Sequence, residues 1–244
     1  MITNIVEKAK GLKEEYKNNK PFEHIKIDDM FPKPLLDDLV ENIKNTDYEW
    51  YKLCTKGPGD FGHFGKSAEV LTEYLTSSDW VDFLRELTDI EDLISDKEWL
   101  GAGINFEPRG SHLEPHTDFN KNNSMWRRVN VLLFLSKDWK DEWGGHNELG
   151  HLGNDGVYVV DKKYRPDFNR VVIFNTSPYS YHGFDLVSCP EDEARIVISC
   201  YYYSKNSGDH KQPNFTTNYV GWDKSRREQQ EYQGRRGTGW RKLK

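Results

Sequence analysis

The chain has 244 residues, enough for one domain with a sizeable core and a tight fit for two. Only 36% of its residues are hydrophobic but 14% are aromatic, so the expected core of a soluble protein leans on Trp, Tyr and Phe. A formal net charge of -6 argues against a chain built as a whole for an anionic polymer, and three cysteines (Cys54, Cys189 and Cys200) make neither a disulfide framework nor a zinc-finger spacing.

The N-terminal stretch has no apolar run. Ile5, Ala9, Leu12 and Tyr16 instead recur at helical spacing, which predicts an amphipathic helix. No segment is apolar for the length of a bilayer, and a cytoplasmic protein is expected. Pro21–Ile27 alternates like a strand. Leu35, Leu36, Leu39, Val40 and Ile43 then form one helix stripe, with Pro34 near its start, where a missing N–H costs least. Gly57, Pro58, Gly59, Asp60 and Gly62 read as a flexible loop, followed by helical periodicity over roughly 67–97.

From Trp99 the character changes. Short β-type runs follow at 99–106, 128–135, 148–152, 156–160, 170–174, 180–186 and 195–203, split by Gly, Pro, Asn and Asp. Helices followed by many short strands predict a mainly β fold: a double-stranded β-helix, or cupin-like jelly roll, behind an α-rich N-terminal region. A single domain is expected, with a helical region over residues 1–98, a core over 99–204 and a polar tail over 205–244. The tail reads as strand-poor and solvated. Its end is rich in Lys and Arg, and it is the one segment of the chain suited to a nucleic acid or other acidic partner.

The chemistry gathers in the β region. His116 and Asp118 are two apart in Pro115-His116-Thr117-Asp118, placed in a turn-like loop, so both side chains can reach one metal ion. His112/Glu114 and His146/Glu148 have the same spacing and stand as rivals. Downstream, the apolar run 171–174 leads through a turn to His182 at the start of a strand, a place for a third ligand. Two His and one carboxylate leave coordination positions open, as oxygen activation by Fe(II) requires. Arg195 opens an otherwise apolar strand. It either pairs with Glu191, Asp192 or Glu193 or binds an anionic ligand.

Taken in order, Pro108-Arg109-Gly110, His116-Thr117-Asp118, the run from Arg127 to Trp139, Gly144-Gly145, the segment Phe174–His182 and Arg195 resemble the prolyl 4-hydroxylase-like branch of the 2-oxoglutarate/Fe(II) oxygenase superfamily. The resemblance covers roughly 99–203 and touches the Pro21–Ile43 opening. It implies His116, Asp118 and His182 as iron ligands and Arg195 as partner of the far carboxylate of 2-oxoglutarate. Phe106 and Phe134 stand where relatives often carry Tyr hydroxyls beside the cosubstrate, and Asn130 is the candidate to replace them. Tyr201 and Ser199 share a strand face with Arg195, and with Arg128 they make the candidate substrate pocket.

The implied activity is hydroxylation of an unactivated C–H, with 2-oxoglutarate and O2 consumed, succinate and carbon dioxide released, and ascorbate as a reductant. The carboxylate ligand Asp118 favours hydroxylation over halogenation. The substrate class leans to a prolyl residue of a peptide or protein, with the Gly57–Gly65 loop and the basic tail as groove walls. A free amino acid or other small molecule, or a non-catalytic jelly-roll binding module, are the alternatives. Tyr201 stands near where alkylated-base demethylases carry a second Arg, which argues against a nucleic-acid base.

Overall fold

The computed structural model describes residues 4–46, 58–99, 102–122, 124–208 and 218–220. The basic end of the tail, Lys224 to Lys244, and Cys54 lie outside them.

Among the described residues, four helices precede the β core. They are α1 (Ile5–Asn18), α2 (Lys33–Asn45), α3 (Gly65–Leu75) and α4 (Ser78–Thr88). α1 buries Ile5, Ala9 and Tyr16, and α2 buries Leu36, Leu39, Val40 and Ile43 with Pro34 in its first turn. α4 starts at Ser77, whose hydroxyl caps the Trp80 N–H. The stretch expected as a flexible loop forms a 3-10 helix, Pro58–Phe64, instead. Phe61 and Phe64 are fully buried there, with the Phe61 ring 4.7 Å from that of Trp99. Two aromatic anchors in seven residues outweigh the local Gly and Pro signals.

The strands are β1 (His24–Ile27), β2 (Ile94–Ser95), β3 (Gly103–Pro108), β4 (Leu113–Thr117), β5 (Lys121–Asn122), β6 (Met125–Phe134), β7 (Asn147–Leu152), β8 (Tyr158–Tyr164), β9 (Arg170–Asn175), β10 (Tyr181–Phe184), β11 (Ala194–Ser204) and β12 (Asn218–Tyr219). One sheet runs β1-β9-β6-β11-β2, with β3 also on β11 and β5 also on β6. The other runs β12-β4-β10-β7-β8. The pairing is antiparallel throughout both sheets. The mainly β fold expected from the sequence is present, and β1 ties the N-terminal region into the larger sheet.

Strand alternation sorts the core into two layers. Val129, Val131, Leu133, Val171, Ile173, Ile196, Ile198 and Cys200 face the helices. Leu132, Phe134, Val172, Phe174 and Val197 face inward and meet Leu149 of the second sheet. Both faces of β6, β9 and β11 are thus buried, so these strands read as continuous apolar runs.

One expectation about strands is corrected. Pro115–Thr117 belong to β4, not to a turn. Opposite β10 the ladder shifts register between the His182↔His116 and Phe184↔Leu113 pairs, so the irregularity falls at Glu114–Pro115, where proline has no N–H to offer. The strand-poor tail contributes one short strand among the described residues. β12 returns to pair with β4, opposite His116 and Thr117, and the Val220 N–H donates to the Pro115 carbonyl at 2.8 Å.

Candidate active site

β4 and β10 bring His116 and His182 side by side as ladder partners, with ring centroids 4.3 Å apart. Asp118 follows directly after β4. The ligand atoms of His116, Asp118 and His182 all lie within 4.8 Å of one another, and all three residues are buried. Among the described residues no other set of His, Cys, Asp and Glu converges in this way. The rival His146 instead contacts Asp141 and Asp185, while Glu148 pairs with Lys163.

The imidazoles are oriented alike. His116 Nδ1 lies 2.8 Å from the Glu114 carbonyl and His182 Nδ1 3.0 Å from the Ser180 carbonyl. With Nδ1 donating to a carbonyl, Nε2 is left as the acceptor, the tautomer that a metal needs. The Nε2 atoms of His116 and His182 stand 3.8 Å and 3.5 Å from the Asp118 carboxylate oxygens. Burial, and then the neighbouring His182, push His116 down to about 4, so it is neutral at physiological pH. Burial opposes ionisation of Asp118. Contact with His182 and the charge of Arg127 outweigh it and hold the carboxyl below the usual range. Two imidazoles and one carboxylate, buried and convergent, fit a divalent iron ion.

Arg195 is 2% exposed. Its Nε donates to the Gly145 carbonyl at 2.7 Å, and its guanidinium lies over the rings of Phe184 (4.2 Å) and Phe134 (5.1 Å). Among the described residues no carboxylate lies within ion-pair distance of it; Glu191 and Asp192 are exposed and Glu193 pairs with Lys44. Burial lowers its pKa to about 10, which still leaves it charged. A buried guanidinium without a carboxylate partner fits the far carboxylate of 2-oxoglutarate.

Other candidates divide. Tyr201 does reach the site, its hydroxyl donating to Asp118 Oδ2 at 3.2 Å. Burial, and then Asp118, raise its pKa, so it is a neutral phenol. Asn130 faces inward between Tyr201 and Phe174 in the ladder, 1% exposed and with no partner on Oδ1. Ser199 accepts a hydrogen bond from Asn105 Nδ2 at 3.2 Å. Phe106 sits elsewhere. It pairs with Ile196, shares a face with Ile104 and packs against the helix-side core, so Asn105 is the β3 residue beside Ser199. Arg128 also points away, donating to the Asn206 carbonyl at 2.7 Å. The β6–β11 ladder shifts register between Tyr202 and Tyr203, and beyond the bulge Arg127 faces Tyr203. Arg127 is the residue that sequence reasoning missed.

Residues 102–203 match the model of the 2OG-Fe(II) oxygenase superfamily. No curated protein matches the chain in sequence. Among solved structures, a Pseudomonas putida prolyl-4-hydroxylase aligns with a TM-score of 0.56 at 15% identity, over 80% of this chain and 94% of its own. A Phytophthora capsici prolyl 4-hydroxylase gives 0.60 at 18% identity, over 82% of this chain and 64% of its own. A Trichoplax adhaerens prolyl hydroxylase, in complex with a peptide fragment of the hypoxia inducible factor oxygen degradation domain, gives 0.59 at 16%, over 85% and 96%. The similarity over residues 102–203 and the His-Asp-His group with its buried Arg agree: the chain has a prolyl-4-hydroxylase-like fold, its β core resembles the 2OG-Fe(II) oxygenase superfamily, and these similarities support a 2-oxoglutarate-dependent dioxygenase using Fe(II), 2-oxoglutarate and O2.

Proposed function

We propose that this chain hydroxylates an unactivated C–H of a prolyl residue in a peptide or protein. In this reading His116, Asp118 and His182 hold the iron and Arg195 receives the far carboxylate of 2-oxoglutarate. The observation that carries it is a buried His-Asp-His group and a buried guanidinium with no carboxylate partner among the described residues, His182 packing on Phe174 and Arg195 on Phe134 of one inner cluster. The prolyl preference rests on the fold shared with three prolyl hydroxylases, one of them bound to a peptide. Ascorbate as reductant belongs to the same proposal.

When bound, the iron and cosubstrate would use O2 to hydroxylate the C–H, one oxygen atom going to the product and the other to succinate as 2-oxoglutarate loses carbon dioxide. The chain supplies position and exclusion of water. The Glu114 and Ser180 carbonyls fix the imidazole tautomers. Phe134 and Phe184 form an apolar sleeve around the Arg195 guanidinium, which strengthens its attraction for a carboxylate. Asn130 offers an unsatisfied amide oxygen toward the inner space. Tyr201, on the same strand as Arg195, reaches the metal ligand Asp118 at the candidate substrate side.

The test is anaerobic addition of Fe(II) and 2-oxoglutarate to wild type, His116→Ala and Arg195→Ala, watching for the weak visible charge-transfer band. Aerobic reaction with proline-containing peptides, read by mass, follows. A band lost in His116→Ala and weakened in Arg195→Ala, with one oxygen gained on a peptide proline, is expected. A band with oxygen gained only on a free amino acid would move the substrate to small molecules. No band would leave a non-catalytic jelly-roll module.

A further inference from the structure

Asp118 is contacted by two residues that are not among the metal ligands. Arg127 Nη1 lies 3.4 Å from Oδ1, and the Tyr201 hydroxyl donates to Oδ2 at 3.2 Å. Each carboxylate oxygen therefore has one imidazole and one donor beside it. The two donors are themselves joined, because the Arg127 guanidinium lies over the Tyr201 ring at 3.6 Å. Arg127 is 9% exposed, and among the described residues Asp118 is the one carboxylate within ion-pair distance of it.

The geometry points to Arg127 and Tyr201 as positioning residues that lock the orientation of the metal-ligating carboxylate. This rests on the metal-site reading above. A lone Asp side chain turns about two torsions, and either turn would take an oxygen away from its imidazole. Pinning both oxygens prevents the turn before any metal arrives. The planar guanidinium can lie flat on the ring while one edge reaches Oδ1, which a lysine ammonium cannot do. Two effects of Arg127 oppose each other: its charge competes with a cation for Asp118, while its contact fixes Asp118 in place. In the proposal, fixing prevails.

The test titrates Co(II) into the full chain, reading the visible d–d bands and the thermal midpoint. The variants are Tyr201→Phe, Arg127→Lys and Arg127→Met, with His182→Ala as control. Tyr201→Phe keeps the ring and removes only the hydroxyl. All three clamp variants are expected to bind Co(II) about ten-fold more weakly or worse, with shifted bands. Wild-type affinity and bands in both Tyr201→Phe and Arg127→Lys would overturn the clamp, because a merely structural role moves only the midpoint. Tighter binding in Arg127→Met would overturn it as well, by making Arg127 a competing counter-ion. Equal binding by wild type and His182→Ala would sink the metal-site reading, and the clamp with it. Should Arg127→Met fail to fold, the other two variants decide.

Discussion

Arg195 passes under the Gly144-Gly145 turn, its Nε bonded to the Gly145 carbonyl at 2.7 Å. Gly145 has φ +66, and a Cβ there would lie 3.0 Å from Arg195 Cδ and 3.1 Å from Val187 Cγ2. Gly145→Ala is therefore expected to destabilise the protein by roughly 1–3 kcal/mol and to displace the guanidinium. Urea unfolding and the KM for 2-oxoglutarate check it. Wild-type values of both would show that the turn does not hold Arg195.

Arg195→Met removes the charge and keeps much of the stem that fills the space between Phe134 and Phe184. Affinity for 2-oxoglutarate should fall by about 2–5 kcal/mol, the range for losing one partner of a buried ion pair. Co(II) binding in the absence of 2-oxoglutarate should persist. Calorimetry on the Co(II) form separates the two, and unchanged 2-oxoglutarate affinity would exclude Arg195 as its anchor.

His146 anchors the same turn from outside. Its N–H donates to Asp185 Oδ1 at 2.7 Å, and its ring nitrogens lie 3.3 Å from Asp185 Oδ2 and 3.0 Å from Asp141 Oδ1. The hydrogen bond to Asp185 comes first among the causes that raise its pKa; partial burial opposes it and Asp141 adds to it. A raised folded-state pKa stabilises the protein fully below the unfolded value of about 6.5, and this is lost as pH rises through the folded value. The stability gap between wild type and His146→Gln should therefore be wide near pH 5.5 and narrow near pH 8.5. A gap that does not change with pH would remove the ring charge from the account.

Val220→Pro deletes the N–H that reaches the Pro115 carbonyl beside the His116 strand. The expected cost is about 1 kcal/mol, with weaker Co(II) binding because β12 pairs directly opposite His116. Unaltered Co(II) affinity in a destabilised variant would confine β12 to a structural role.

Arg128→Ala is expected to leave Co(II) binding intact, since its guanidinium bonds the Asn206 carbonyl and not the site. A loss matching that of the Arg127 variants would show that the bulge does not sort the two arginines as described.

Much of this was legible in the chain. The apolar runs of β6, β9 and β11 announce strands buried on both faces, and the helix stripes of α1 and α2 follow from local spacing. His116, Asp118, His182 and Arg195 could be named as candidates from residue type, order and the family resemblance, and the β4–β10 ladder sets the two imidazoles side by side. The Pro58–Phe64 stretch was misread because Gly and Pro speak for local conformation, whereas Phe61 and Phe64 act through a distant core.

Residue type and order name the groups that could hold a metal and an anion, and the apolar runs name the short strands that carry them. Which neighbour faces inward depends on strand pairing. Arg127 replaces Arg128 because of a register shift between β6 and β11, and Asn105 replaces Phe106 because β3 pairs Phe106 with the outward-facing Ile196. Strand parity is set by partner strands far away in sequence, and a slip of one residue exchanges the two faces. The return of β12 to the His116 strand is a contact of the same kind, fixed by hydrogen-bonding partners about a hundred residues apart and not by any local propensity.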